Sequence, residues 1–475
     1  MTSRLDQRPW LAVALVIAAF LVPVVAGIAR ATAFGYDESI YAQLSRALAG
    51  GPPAAGAGSY RPPGLGLLGL PAALVSNAEW PFRLVGALGG IGLVSATWWV
   101  ARLAGGGVAA LVAAVAVAAA WPVQIESTTF LTDVPAATLV VLAAGLTWRA
   151  LTDAGGRREW IWLGAVAAAA FSIRFGSILP LSGIALAGLV VGTAPARLAV
   201  IRAAAVCAVL LLPHAVHATA TTGAPWGIVS AAQRATGEGA GTEALVAYLA
   251  MLPAQLMGPL AGALAVVGLI AAVREAGSSA ADARFARFTG IAAVVPMVAL
   301  VASSHAEARY AFAPVALLAV LGATRLVPWA HRLVIARPAL RIAVAGIAAA
   351  GLVGGSIMTL DEIDRRVAVW GWTRDVARAI DADSEGTDCV VVASDAPIMA
   401  WYARCAAATF GSPPSIDPIE PDAATRQYVV LRADGHHQPP GAADALPRGF
   451  EPWRTFTDGD GAVVATVYRS RDGGR

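Results

Sequence analysis

Apolar runs of about 17–25 residues recur along the first three quarters of the chain, each long enough to cross a hydrocarbon core of about 30 Å as a helix. Eleven such spans are read, near 10–29, 82–102, 106–123, 131–149, 159–173, 175–193, 199–216, 250–273, 288–303, 310–326 and 339–358. Arg174 is the break that divides 159–193 into two spans. Arg4 and Arg8 precede a first run that is too long for a signal-peptide core, so it is read as a retained span. With the N-terminus inside, the inner loops hold Arg102, Arg149, Arg157, Arg158 and nine more arginines, against seven on the outer side. That bias sets the orientation and places the C-terminus outside.

The pattern changes past about residue 360. Asp361-Glu362-Ile363-Asp364-Arg365-Arg366 ends the membrane part in this reading, and mixed polar sequence follows. Strands are expected at Cys389 to Ser394, Tyr428 to Leu431 and Ala462 to Tyr468, with a helix over Ala396 to Arg404. The expected fold is therefore a polytopic α-helical membrane protein of about 11 transmembrane helices, residues 1–360, with a small extracytoplasmic α/β domain over 361–475. The first outer loop, 30–81, contains a short helix from Asp37 to Ala49 and an apolar one from Leu65 to Val75. A second outer segment, 217–249, reads as a flexible loop.

Composition sharpens this picture. Of 475 residues 57% are hydrophobic and only 14% charged, where a soluble chain carries roughly a quarter. Net charge is +3, with no basic stripe for nucleic acid, and every basic residue is an arginine. Any cation that grips a phosphate here is thus a planar guanidinium, able to bind two oxygens at once. Gly-rich phosphate loops, HExxH and GxSxG are not found, which leaves nucleotide hydrolysis, zinc proteolysis and serine-esterase chemistry without support. Cys207 lies in a span as a small apolar filler. Cys389 and Cys405 flank a strand and the helix that returns beside it, so they are either a disulfide of an oxidising compartment or two separate thiols.

Candidate chemistry gathers at the outer ends of spans. Ionisable groups beside hydrocarbon cost free energy and are usually kept for a purpose. Phe34-Gly35-Tyr36-Asp37-Glu38 with Tyr41 offers two acids, where Asp37 as a helix cap is the plainer reading. Tyr60-Arg61-Pro62-Pro63 fixes an arginine in an extended segment, either as a phosphate clamp or as a stiff loop meeting headgroups. Glu126 and Asp133 lie in the second outer hairpin, and Asp133 before Pro135 is also a good N-cap. Arg174 stands between two apolar runs, and His305-Ala306-Glu307-Ala308-Arg309-Tyr310 opens a late span, with a local Glu307–Arg309 pair as the plainer reading. His214 and His217 are read as structural.

At these residues the chain resembles the GT-C superfamily of membrane glycosyltransferases, nearest to glycosyltransferase family 39, the protein O-mannosyltransferase and aminoarabinose transferase branch. The matching pieces are Tyr36-Asp37-Glu38 with Tyr41, Arg61-Pro62-Pro63 where relatives often have Lys-Pro-Pro, Thr132-Asp133-Val134-Pro135, and Arg309-Tyr310 with Pro314. They cover about residues 10–330 in order. The resemblance implies transfer of a sugar from a polyprenyl-phosphate donor to an acceptor hydroxyl on a protein, glycolipid or polysaccharide, with inversion, at the outer face of the cytoplasmic membrane. It implies Asp37 as general base and Glu38 as its orienter. Arg61, Arg309, Arg174, Tyr60 and Tyr310 would bind the donor phosphate, and Glu126, Asp133, Tyr41 and His305 the sugar or acceptor. Relatives differ on metal use, so a divalent ion is left open. The rival readings are a multi-pass lipid or solute transporter or flippase, and a non-catalytic envelope assembly protein; a transporter places polar groups at mid-membrane in matched repeats, which this sequence does not display.

Overall fold

Each of the eleven apolar stretches is helical over most of its described residues in the computed structural model, which describes residues 9–31, 33–51, 61–152, 158–236, 241–251, 254–278, 280, 283–303, 306–386, 388–410, 425–435, 437–444, 446 and 449–471. In chain order the helices are α1 (Pro9–Arg30), α2 (Tyr36–Leu48), α3 (Pro63–Val75), α4 (Trp80–Ala118), α5 (Trp121–Ser127), α6 (Asp133–Thr152), α7 (Glu159–Ile173), α8 (Ile178–Val191), α9 (Ala194–Leu210), α10 (Leu212–Thr222), α11 (Gly227–Thr236), α12 (Thr242–Met251), α13 (Ala254–Glu275), α14 (Ala283–Ser303), α15 (Phe312–Ala336), α16 (Pro338–Ser384) and α17 (Ala396–Ala403). Among the described residues seven helices are long and apolar enough to cross a membrane, and the bent pair α9 and α10 makes an eighth. The helices α7 and Phe175–Val191 are apolar but shorter.

The division read between the spans 82–102 and 106–123 falls at Gly106, where two helices meet within α4 at a kink whose φ of 77° suits glycine alone without strain. Other boundaries differ from expectation. The segment 217–249 is not a plain loop, since α11 and α12 form within it. The polar run at Asp361 does not end a helix either; α16 continues unbroken to Ser384 because that run, though charged, holds no proline or glycine.

The chain divides into two compact units. The first comprises 1–28, 59–65 and 82–362. Its core is built from alanine and valine with a few large side chains, such as Phe20, Leu93 and Phe312. Small residues let helices approach closely where lipid gives no hydrophobic push between them. The clearest case is α13 against α15: a Cβ on Gly268 would run into the Leu318 carbonyl, and one on Gly322 into the Leu264 carbonyl. Trp148 fills the α6–α14 contact, its ring 4.8 Å from Phe285 and 5.6 Å from Phe288. Arg325, midway along α15, ties down the end of α13 with two bonds to Glu275, at 2.8 and 2.6 Å. On α5, the buried Gln124 donates to the Ala118 carbonyl and accepts from Thr359, both at 2.7 Å, so its amide is satisfied without water.

The second unit comprises 29–58, 66–81 and 363–475. A five-stranded mixed sheet has the order β2-β1-β3-β5-β4, with β1 Cys389–Ala393, β2 Ala406–Ala408, β3 Arg426–Arg432, β4 Phe450–Thr457 and β5 Val463–Ser470. The pairs β1–β2 and β1–β3 are parallel, while β3–β5 and β4–β5 are antiparallel. Alternation along β3 separates two cores: Tyr428 and Val430 pack with Val376, Ala377 and Ile380 of α16, and Val429 and Leu431 with Phe410 and Ala442. Burial pushes the Tyr428 phenol upward, and its 2.6 Å bond to Asp383 adds to the shift. Cys389 and Cys405 form a disulfide with Cα atoms 4.9 Å apart, bracketing β1 and α17. Strands β2 and β4 were not anticipated; β2 has three residues, and Pro452 interrupts the alternation of β4.

Candidate functional site

In the first unit, three helix beginnings supply the walls of one cavity. Arg174 follows Ile173 in extended backbone, where α7 stops; a short 3-10 turn, Phe175–Ser177, then starts α8. Arg309 lies likewise in a 3-10 turn, Ala308–Ala311, that leads into α15 after extended Glu307. Asp133 is the first residue of α6, and it is Thr132 whose carbonyl accepts the first helical bond, from Ala136 at 3.0 Å. Asp133 is therefore not the cap that its position before Pro135 suggested, and its carboxylate is turned to other use.

That carboxylate, 3% exposed, lies between two guanidiniums. Arg174 donates to Asp133 Oδ1, and Arg309 stands 3.9 Å from Oδ2. Arg174 also approaches Thr132 Oγ1 at 3.4 Å and lies over the Tyr310 ring, 4.4 Å from its centre. Arg309 donates to Glu307 as well, so the local pair expected from sequence is present. Buried Glu126, on α5, adds a third acid to those acting on Arg309, beside Asp133 and Glu307. The backbone carbonyl of Glu307 is 3.5 Å from the hydroxyl of buried Tyr248.

The cavity is small, about 40 Å³, and open on one side. Its charged wall is Asp133, Arg174 and Arg309 with Tyr310; its apolar wall includes Val140, Pro180 and Leu300. Gly176 and Ser177 add the 3-10 turn before α8, and Ala313 the first turn of α15. The N-terminal end of a helix carries partial positive charge and unsatisfied N–H groups, and is a ready anion site. Three such ends plus two guanidiniums against an apolar wall suit an anion attached to a hydrophobic chain. In this structure the anion they face is the protein's own Asp133.

In the second unit, α2 carries Asp37, Glu38 and Tyr41. Its N-cap is Gly35, not Asp37. Glu38 reaches back to the Gly35 N–H at 2.9 Å, which is one half of a capping box. Asp37 is half-buried and Tyr41 fully buried. One face of α17 packs on this helix. Gln43 donates to the Pro397 carbonyl at 2.7 Å, and the Arg46 guanidinium stacks on Trp401, 3.1 Å from the ring centre. Burial there lowers the Arg46 pKa to about 10, against Tyr402 and Glu79, which raise it.

Arg61 precedes α3, half-buried beside buried Pro62. Tyr60 and His305 lie outside the described residues. Sequence reasoning singled out neither Tyr248 nor the trio Glu79, Trp401 and Tyr402, whose partners are distant along the chain. Among the described residues no three His, Cys, Asp or Glu side chains gather as a metal site. His214 packs against Phe171 and Phe175, rings 5.7 and 5.1 Å away, as a structural histidine does.

Residues 61–217 match the family described as dolichyl-phosphate-mannose-protein mannosyltransferase. ArnT from Cupriavidus metallidurans, solved bound to undecaprenyl phosphate, is similar over 98% of this chain and 99% of its own, with TM-score 0.71 and 17% identity. The Archaeoglobus fulgidus oligosaccharyltransferase tethered to an acceptor peptide is similar over 95% of this chain and 74% of its own, with TM-score 0.59 and 13% identity. The oligosaccharyltransferase AglB from Archaeoglobus fulgidus, in complex with an inhibitory peptide and a dolichol-phosphate, is similar over 83% of this chain and 64% of its own, with TM-score 0.56 and 13% identity. No curated protein sequence matches the chain.

Proposed function

We propose that this chain, which has the fold of the GT-C membrane glycosyltransferases, transfers a sugar from a polyprenyl-phosphate-linked donor to an acceptor hydroxyl, with inversion, at the outer face of the cytoplasmic membrane. The observation that carries this reading is the cavity in which Arg174 and Arg309 converge at the beginnings of α6, α8 and α15 beside an apolar wall. The polyprenyl phosphates held by the ArnT and AglB structures are ligands of this same chemical class.

In the proposed reaction the acceptor oxygen attacks the anomeric carbon as the bond to the phosphate oxygen breaks. The acceptor proton passes to the Asp37 carboxylate, and the electron pair leaves on the phosphate. Arg174 and Arg309 stabilise that growing negative charge, which is worth most where water is excluded. Arg61 is a further candidate for the phosphate. Tyr310 presents a ring to Arg174 and keeps its plane fixed. Before donor binding Asp133 compensates the two cations; a bound phosphate takes over part of that role. Glu126 and Asp133 are further candidates for the sugar hydroxyls or the acceptor.

The test is a transfer assay with purified protein, a panel of polyprenyl-phosphate sugars, and envelope fractions holding proteins, glycolipids and polysaccharides. Wild type is expected to label one acceptor class. Asp37→Asn is expected to lose transfer while still binding donor. Equal turnover in both proteins would remove Asp37 from the mechanism, and no labelling with any donor would overturn the function.

A further inference from the structure

We infer that Tyr402 and Trp401 of α17 are positioning residues that hold the turn bearing Asp37 and Glu38. This rests on the reading of Asp37 as the acceptor base. The Tyr402 hydroxyl accepts the Phe34 N–H at 2.9 Å and donates to Glu79 Oε1 at 2.8 Å. Phe34 directly precedes Gly35, the N-cap of α2, so this bond sets where the helix begins. A phenol that both accepts and donates is fixed in rotation, and the Glu79 carboxylate makes it a stronger acceptor toward Phe34.

Trp401 supplies the apolar half of the same grip. The Phe34 ring, fully buried, meets the Trp401 ring edge-on at 5.1 Å. The opposite end of α2 is held by Arg46 over the same indole, and Arg46 also reaches the Asn77 carbonyl at 3.5 Å. Phe34, Gln43 and Arg46 thus contact Trp401, Tyr402 and Pro397, three residues on one face of α17. Glu38 bonds back to Gly35 within the same turn, so the backbone on both sides of Asp37 is pinned. Arg30 pairs with Asp364 at 3.0 Å just upstream, but both are exposed and the pair adds little. Helix α17 is in turn bracketed by the Cys389–Cys405 disulfide, which limits how far its aromatic pair can drift.

The contacts named here act on the backbone that carries Asp37. A base displaced by about 1 Å can cost a large factor in rate without loss of binding.

Three variants in the full-length protein test this, with hydrogen exchange and steady-state transfer as readouts. Tyr402→Phe keeps the ring but removes both bonds. It is expected to speed exchange at Phe34 and Gly35 and to lower kcat roughly tenfold at unchanged donor KM. Glu79→Gln keeps an acceptor oxygen and is expected to stay near wild type, whereas Glu79→Leu follows Tyr402→Phe. Unchanged exchange at Phe34 in Tyr402→Phe overturns the inference, as does unchanged kcat while Asp37→Asn is inactive. Full activity in Asp37→Asn instead overturns the reading of Asp37 itself, whatever Tyr402→Phe does.

Discussion

The Glu38 carboxylate accepts the Gly35 N–H at 2.9 Å, and this bond separates the roles of two adjacent acids. Glu38 occupies the third helical position and is buried, while Asp37 is half-buried and does not cap. A helix beginning leaves several N–H groups to be satisfied, and Glu38 satisfies one of them. Replacing Glu38 by Gln keeps an oxygen acceptor, so most of the transfer activity should survive. Replacing it by Ala should loosen the first turn by about 1 kcal/mol and lower kcat. Amide exchange at Gly35 together with the transfer assay separates the two outcomes; equal behaviour of Gln and Ala would deny Glu38 its capping role.

Arg174 and Arg309 should act as charge stabilisers in the reaction. Substituting either by Gln is expected to lower kcat by about 10²–10³, with acceptor KM little changed. Arg309→Lys keeps the charge but loses the planar fork, so it should recover only part of the loss. Steady-state kinetics at varied donor and acceptor concentration measures both.

Asp133 holds two cations apart in a buried place, and its removal should be felt before any donor arrives. Asp133→Asn is expected to destabilise the folded protein by about 3–5 kcal/mol, because it leaves guanidinium charge without its partner. A polyprenyl phosphate supplies a replacement anion, so it should raise the melting temperature of the variant more than that of wild type. Thermal unfolding in detergent with and without the lipid is the measurement. An equal shift in both proteins would contradict a shared phosphate and carboxylate site.

Gly268 and Gly322 mark the crossing of α13 and α15, where each helix's backbone occupies the space of the other's missing side chain. Ala at either position forces the helices apart and should cost about 1–3 kcal/mol. The effect should appear in thermal stability while the arginine cavity keeps its donor affinity, as a lipid-binding titration would reveal.

The membrane helices were legible because long apolar runs admit few other structures in lipid. The break at Gly106 was legible as the gap between the spans read at 82–102 and 106–123, though its positive φ was not. Arg174 stood out as a lone cation amid apolar sequence, and it does line the cavity. Its partner Asp133, 41 residues away, could be nominated by motif but not paired, because pairing depends on how helices cross. Asp37 invited the reading of a cap from residue type alone, whereas the backbone starts the helix two residues earlier, at Gly35. Tyr402 left no local trace: an aromatic pair in a short helix looks like core until its hydroxyl is seen meeting Phe34 and Glu79.

The rims of the mixed sheet bear on how the second unit meets other molecules. At one rim β2 offers only three residues; at the other, β4 carries Pro452 and shifts register between Pro452 and Arg454 and again at Phe456. A proline lacks the donor that an incoming strand needs, and each shift twists the row of free carbonyls out of line. Recognition of a polypeptide by adding a strand is thereby discouraged. An acceptor that engages this unit would do so through side chains and loops, so its selection would depend on local surface chemistry rather than on an extended peptide backbone.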